Sequence, residues 1–152
     1  FIKFQLNDAH LSHSSNHKKL ASVNRVFAHI DNAIPRLFEN ALGVYLHHCV
    51  GGYISRVAEG RTNILFLRRN EEIEIPFFTI EVNNRNEVIQ IHGLYNRWLG
   101  NEPDAVKFVI NWIHEKEIRC PVNIVLNKGQ GYSASSSKLD AKEYGLEGKS
   151  YV

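Results

Sequence analysis

Leu46-His47-His48-Cys49-Val50-Gly51-Gly52-Tyr53 sets two imidazoles, a thiol and a phenol beside a Gly-Gly pair. If His48 and Cys49 open a helix over Val50–Glu59, its positive end stabilises a thiolate, and a neighbouring imidazolium acts in the same sense. That combination makes a nucleophile of Cys49 and an acid/base of His48. The competing reading is a structural one, because free cysteine is often a small buried hydrophobe. The other cysteine is Cys120. His47, His48 and Cys49 are metal-ligand types that Cys120 or His92 could join. Adjacent residues rarely aim at one ion, however, and the chain holds no Cys-x-x-Cys or His-Glu-x-x-His spacing, so no metal set is assigned.

A second constellation lies in strand-like sequence. Thr79 and Glu81 alternate with Phe78, Ile80 and Val82, and Gln90 and His92 alternate in the following segment, so each pair shares a face. Paired across a hairpin, the four form one polar patch in which a carboxylate beside an imidazole orients a general base. The same alternation also describes the solvent side of a half-covered sheet, and this is the expectation from alternation alone. Arg56, Arg61, Arg68, Arg69 and Arg97, with Tyr53, Tyr95 and Trp98, make a third group. Arginine forks hold phosphate and aromatic rings stack on bases, although the same mixture is common at protein interfaces. His10, His13 and His17 would align on a helix, but the serines among them favour a solvated segment.

These groups must be positioned by elements. Phe1–Leu6 reads as a strand, and His17–Ile30 carries helical spacing through Leu20, Val23, Val26, Phe27 and Ile30. Asp31 is suited to cap a following helix with Pro35 in its first turn. The period then changes. Asn63–Arg68, Pro76–Val82 and Glu87–His92 read as strands of an antiparallel meander, with Asn83–Asn86 as a turn. Pro103-Asp104 opens a helix whose stripe is Ala105, Phe108, Val109, Trp112 and Ile113, and Val122–Leu126 reads as a final strand. The expected fold class is α+β: a small antiparallel sheet, a three-strand meander extended by terminal strands, packed by several helices. A single domain over residues 1–126 is followed by a tail, 127–152, rich in Gly, Ser and Lys and without a core of its own.

With 152 residues, 43% hydrophobic and 22% charged, the chain can build one real core. A net charge of +2 does not by itself demand a nucleic-acid partner, though its eight histidines would make the surface basic at low pH. Two cysteines form no disulfide framework, which suits a reducing, cytoplasmic setting, and no apolar run approaches the roughly 20 residues of a membrane span. The chain begins at Phe1 and lacks methionine, as expected of a fragment or processed piece.

The order of these motifs resembles the PcfJ-like family of conjugative plasmids, phages and integrated elements in bacteria. The residues that carry it are Leu46–Tyr53, Arg56-Val57-Ala58-Glu59-Gly60, Ile64–Arg68, Pro76 with Thr79-Ile80-Glu81, Gln90-Ile91-His92-Gly93, Asn96-Arg97 and the Trp112 helix. The resemblance spans roughly residues 37–116 and leaves Phe1–Ile30 and the tail outside. It implies a mobile-element protein without a named activity, with motif positions at His47, His48, Cys49, Gly51, Tyr53, Arg68, Thr79, Glu81, Gln90, Gly93 and Asn96. A basic residue is expected where His92 stands. Family members are often longer, so the chain reads as their C-terminal part.

Two classes of function follow. In an enzyme, His48, Cys49, Glu81 and Gln90 do the chemistry of a hydrolase or transferase, while His47, Tyr53, Arg68, Thr79, His92, Asn96 and Arg97 hold the ligand. In a binding module, the same cluster fixes a docking face within a larger complex. The partners expected are nucleic acid or a nucleotide, or a protein, with no membrane. No cofactor follows from these residues.

Overall fold

The computed structural model describes residues 27–32, 56–57, 59–72, 76–93, 95 and 97–152. Four strands, β1 (Phe27–Asn32), β2 (Thr62–Arg69), β3 (Pro76–Asn83) and β4 (Val88–Gly93), form one antiparallel sheet in the order β1-β2-β3-β4. The meander expected from the alternating segments is its larger part. Leu65 pairs with Ile80, and Ile80 with Ile91. The β3–β4 turn is built by Asn83, whose Oδ1 accepts from the backbone N–H groups of Arg85 (2.9 Å) and Glu87 (3.1 Å). Asn86 closes it at φ 59°, a conformation that asparagine tolerates better than most residues.

The strand that extends the meander differs from expectation. Phe27–Asn32 pairs antiparallel with β2, Ile30 opposite Leu67 and Asn32 opposite Leu65. The end of the expected His17–Ile30 helix is therefore a strand, and Asp31 sits within it rather than at a helix cap. Phe27, Ala28, His29 and Ile30 satisfy either period over so short a run, and pairing along β2 decides between them. Phe1–Leu6, the rest of the expected helix at 17–26, and residues 33–55 lie outside the described residues.

Helix α1 (Pro103–Glu115) has Pro103 in its first turn, where the missing N–H costs nothing, and Asp104 beside the positive helix end. Ala105, Val106, Phe108, Val109, Trp112 and Ile113 are buried along one stripe. They join Leu65, Leu67, Phe78, Ile80, Val82 and Ile91 in one apolar core between helix and sheet. Val122–Leu126, expected as a strand, is instead a short helix, α2. Val122, Val125 and Leu126 are its buried residues, at the i, i+3, i+4 spacing of one helical face. A five-residue apolar run does not separate the two periods, and docking this face on the core prevails.

Residues 134–143, in the segment read as a tail, form helix α3 (Ala134–Glu143). Its N-cap is Ser133, whose hydroxyl accepts from Ser136 N–H at 3.1 Å. Ala141 and Leu146 pack into the same core as α1. The end of the chain is tied back by Val122 N–H to Ser150 C=O (3.0 Å) and Val152 N–H to Cys120 C=O (2.9 Å).

The outer edge of β4 is clipped near both ends. Val88 N–H donates to Arg119 C=O (2.8 Å), and Gly93 N–H donates to Arg97 C=O (2.9 Å). Among the described residues, no helix is long and apolar enough to cross a membrane.

Candidate functional site

The sheet has two faces, and the second carries the polar residues. Side chains alternate along each strand, so if Leu65, Leu67, Phe78, Ile80 and Ile91 face α1, the opposite face holds Thr62, Ile64 and Phe66 of β2, Thr79 and Glu81 of β3, and Gln90 and His92 of β4. The register arranges them in ranks: Ile64 opposite Glu81 opposite Gln90, and Phe66 opposite Thr79 opposite His92. The cross-strand pairing of Thr79, Glu81, Gln90 and His92 anticipated from alternation is thus present.

This face is not the solvated side that alternation alone led us to expect. Ile64 and Phe66 are fully buried, Thr79 and Thr62 are each 3% exposed, and Glu81 is 2% exposed. Over β2 and β3 both faces are covered, so the polar groups there must be satisfied by protein. Gln90 and His92 are half-buried.

Glu81 is held from several directions. Gln90 Nε2 donates to its Oε2 at 2.8 Å, and Thr62 Oγ1 donates to its Oε1 at 3.0 Å. The Thr62 hydroxyl also lies 3.1 Å from Val82 C=O, which competes for the same proton. The helical turn at Arg56–Val57 brings Arg56 Nη2 to 3.6 Å from Glu81 Oε1, with the Arg56 side chain 37% exposed and that of Glu81 3% exposed. A buried carboxylate therefore lies behind a half-exposed guanidinium, with two strands fixing its orientation.

His92 stands one rank away, opposite Thr79 rather than Glu81. The carboxylate–imidazole pair expected to orient a general base is not what the register forms; among the described residues, the partners of Glu81 are Thr62, Gln90 and Arg56. His92 packs edge-on against Trp98, ring centroids 5.1 Å apart. Its Nδ1 is buried and has no hydrogen-bond partner among the described residues. Burial also lowers its pKa below the ordinary histidine value, because desolvation disfavours the imidazolium. At neutral pH this is an uncharged imidazole, a proton acceptor or a neutral donor.

The arginine–aromatic group resolves mostly into internal contacts. Arg68 is 5% exposed and lies over the Phe66 ring at 5.1 Å, and Arg69 covers Phe77 at 3.7 Å. Arg97 pairs with Glu102 at 2.9 Å. Tyr95 is 71% exposed, on the link between β4 and α1. Cys120, offered above as a companion ligand, is completely buried in the core on the α1 side, opposite to the face of His92. Burial, and secondarily Glu87, push its thiol up to about 12. His47, His48, Cys49, Tyr53 and Asn96 lie outside the described residues.

Two partners of Glu81 went unassigned from sequence. Thr62 shares the face and precedes Ile64 by two residues, a signal that becomes readable once Ile64 is known to sit opposite Glu81. Arg56 was grouped with phosphate-binding arginines, and nothing in its spacing pointed to a carboxylate.

The model of the PcfJ-like protein family matches residues 6–107, more than half of the chain. This match starts well before the motifs that carry the resemblance and takes in most of Phe1–Ile30, which the motifs alone had left outside. An uncharacterized protein of Listeria innocua serovar 6a is 39% identical over 56 residues, covering 36% of this chain and 12% of the relative. The chain thus spans a small part of that relative's length. No solved structure matches it. On the family match, the chain belongs to the PcfJ-like family.

Proposed function

We propose that the polar face of β3 and β4 is one wall of a site that acts on nucleic acid or a nucleotide, by hydrolysis or group transfer. The observation that supports this reading is that a buried, hydrogen-bonded Glu81 and a neutral His92 whose Nδ1 has no partner among the described residues share one face of the sheet, one rank apart. In this reading Glu81 positions Gln90 and Arg56, and His92 accepts or donates the proton. Cys49 supplies the nucleophile or His48 the acid/base, and Thr79, His47, Tyr53, Asn96, Arg68 and Arg97 shape the ligand site. The setting is a bacterial mobile element or a defence system directed at one, working in the cytoplasm. A bacterial relative supports the bacterial part of this.

One observation favours a second reading. Both oxygens of Glu81 are engaged, as in a buried network that fixes a fold rather than performs chemistry. The chain would then be a non-catalytic module that docks nucleic acid or protein within a larger complex.

The test uses the chain with His92→Asn, His48→Ala and Cys49→Ala, each checked for an unchanged thermal transition. Labelled single-stranded oligonucleotide and nucleoside triphosphate are assayed for turnover, and for binding between about 50 and 200 mM salt. The enzyme reading expects turnover that the three variants lose while binding persists. Turnover retained in all three removes it. Binding with no turnover in the parent chain selects the docking module, and binding that ignores salt excludes phosphate contacts.

A further inference from the structure

We infer that His92 serves this face as a hydrogen-bond donor through Nε2, and that Trp98 is the residue that positions its ring. This rests on the nucleotide reading above and narrows it: His92 is placed on the donor side, and the ligand presents an acceptor to it.

The two ring nitrogens lie in different surroundings. Nδ1 is sealed from solvent and has no hydrogen-bond partner among the described residues. Nε2 is not one of the sealed atoms and makes no hydrogen bond among the described residues, so it is the nitrogen a ligand can reach. Burial keeps the ring uncharged at neutral pH, and an uncharged imidazole carries one proton. On Nδ1 that proton would make a buried N–H without an acceptor, the rarer kind of unmet group. On Nε2 it bonds to water or ligand, and Nδ1 forgoes only a lone pair. The proton therefore sits on Nε2. The lone pair that could take a proton from substrate is on the sealed Nδ1, so His92 is no general base. Its Nε2–H polarises an acceptor of the nucleotide, and the N–H bond stays intact.

An imidazole that works through one nitrogen is ordinarily oriented by a hydrogen bond at the other. Glu81, the buried carboxylate of this face, is taken up by Gln90 and Thr62 and does not supply that bond. Ring packing takes its place: the Trp98 centroid is 5.1 Å from that of His92, with the planes 63° apart. Trp98 is itself braced. The one-turn helix that follows it, Leu99–Asn101, is tied to the loop after α2 by Gly100 N–H to Asn127 C=O (3.2 Å) and Asn101 Nδ2 to Lys128 C=O (3.3 Å). In that loop Gly129 comes so close that a Cβ would lie 2.4 Å from the indole Cδ1 and Nε1. Glycine there lets the loop wall the indole, and the indole in turn walls the imidazole.

Two measurements test this. Nitrogen–proton multiple-bond correlation spectra of isotope-labelled protein at about pH 8, above the ordinary histidine value, separate a protonated ring nitrogen from a bare one. The His92 signals are those missing from His92→Gln. A protonated Nε2 with a bare Nδ1 is expected; the reverse, or an averaged mixture, overturns the donor role. In Trp98→Leu the two signals should move toward an average, and an unchanged pattern overturns the positioning role. If Trp98→Leu does not fold, Gly129→Ala, which displaces the indole, is judged by the same criterion.

Binding of a fluorescent nucleoside triphosphate and of the matching nucleoside then tests what the donor does. His92→Phe should weaken binding by about tenfold. His92→Gln, whose amide N–H reaches the place of Nε2, should recover most of that loss. A loss for both probes puts the acceptor on the nucleoside, and a loss for the triphosphate alone puts it on a phosphate. Parent-like binding in His92→Phe, or no recovery in His92→Gln, overturns the donor role and leaves the wider reading standing. A parent chain that binds neither probe overturns the nucleotide reading and the donor role together, while the spectra still judge Trp98.

Discussion

Gln90 and Glu81 face each other across the β3–β4 ladder and are joined by a 2.8 Å hydrogen bond from the amide to the carboxylate. Because Glu81 is 2% exposed, that bond and the one from Thr62 replace hydration the carboxylate has lost. Hydrogen bonds to a buried charge contribute more than neutral ones. The Thr62→Val substitution keeps shape and removes one donor. It should lower unfolding free energy by about 2 kcal/mol, read from the urea midpoint at constant slope. A change of only about 1 kcal/mol, the range of a neutral hydrogen bond, would show that Thr62 spends its proton on Val82 C=O instead.

Burial gives His92 a definite pH signature. Its folded pKa lies below the ordinary value of about 6.5. As pH falls through 6.5 the unfolded imidazole takes up a proton that the folded one refuses, so the unfolded state is favoured. The contribution of a neutral His92 is complete above about pH 6.5 and is lost progressively down to the folded pKa. His92→Gln should therefore show a smaller drop in thermal midpoint than the parent between about pH 7.5 and pH 5.5. Equal drops in the two proteins would place the titration elsewhere.

The two cysteines should separate cleanly by reactivity. The Cys120 thiol is fully buried and pushed up to about 12, so at pH 8 it carries almost no thiolate, the form that reacts. A disulfide reagent added to native Cys49→Ala protein should label nothing until denaturant is present. In the parent chain, any rapid labelling then reports Cys49, and the rate measures how activated it is.

Gly129 has φ +90°, and a Cβ there would overlap the Trp98 indole. Gly131 has φ +86° and open space around it. Alanine at either site pays the left-handed backbone penalty of about 1–2 kcal/mol. Gly129→Ala should cost more than Gly131→Ala, and it alone should shift tryptophan fluorescence, since Trp98 must move. Equal costs would mean that the 127–131 loop yields freely.

Much of this fold is legible in the sequence where periodicity is long and punctuated. Pro103-Asp104 followed by a stripe from Ala105 to Ile113 admits one reading, and Asn83–Asn86 between two alternating runs admits one hairpin. Phe27–Asn32 and Val122–Leu126 are too short for a period to show; pairing along β2 settles the first and docking on the core the second. The polar ranks were readable as ranks, but not as buried. Alternation of Thr79 and Glu81 with Phe78 and Ile80 is the same string whether the polar face meets water or protein. Nor could spacing show that His92 stands opposite Thr79 while Glu81 draws on Thr62 and Arg56, since register depends on the turn and on the bulge between Glu81 and Val82.

The clips at Val88 and Gly93 bear on how this protein behaves in crowded solution. A bare outermost strand invites a foreign chain to zip along its unpaired amides, the usual first step of sheet-to-sheet clumping. With Arg119 and Arg97 already seated on those amides, a newcomer on that side would have to strip native bonds before gaining its own, so concentrated preparations should resist assembly through this border.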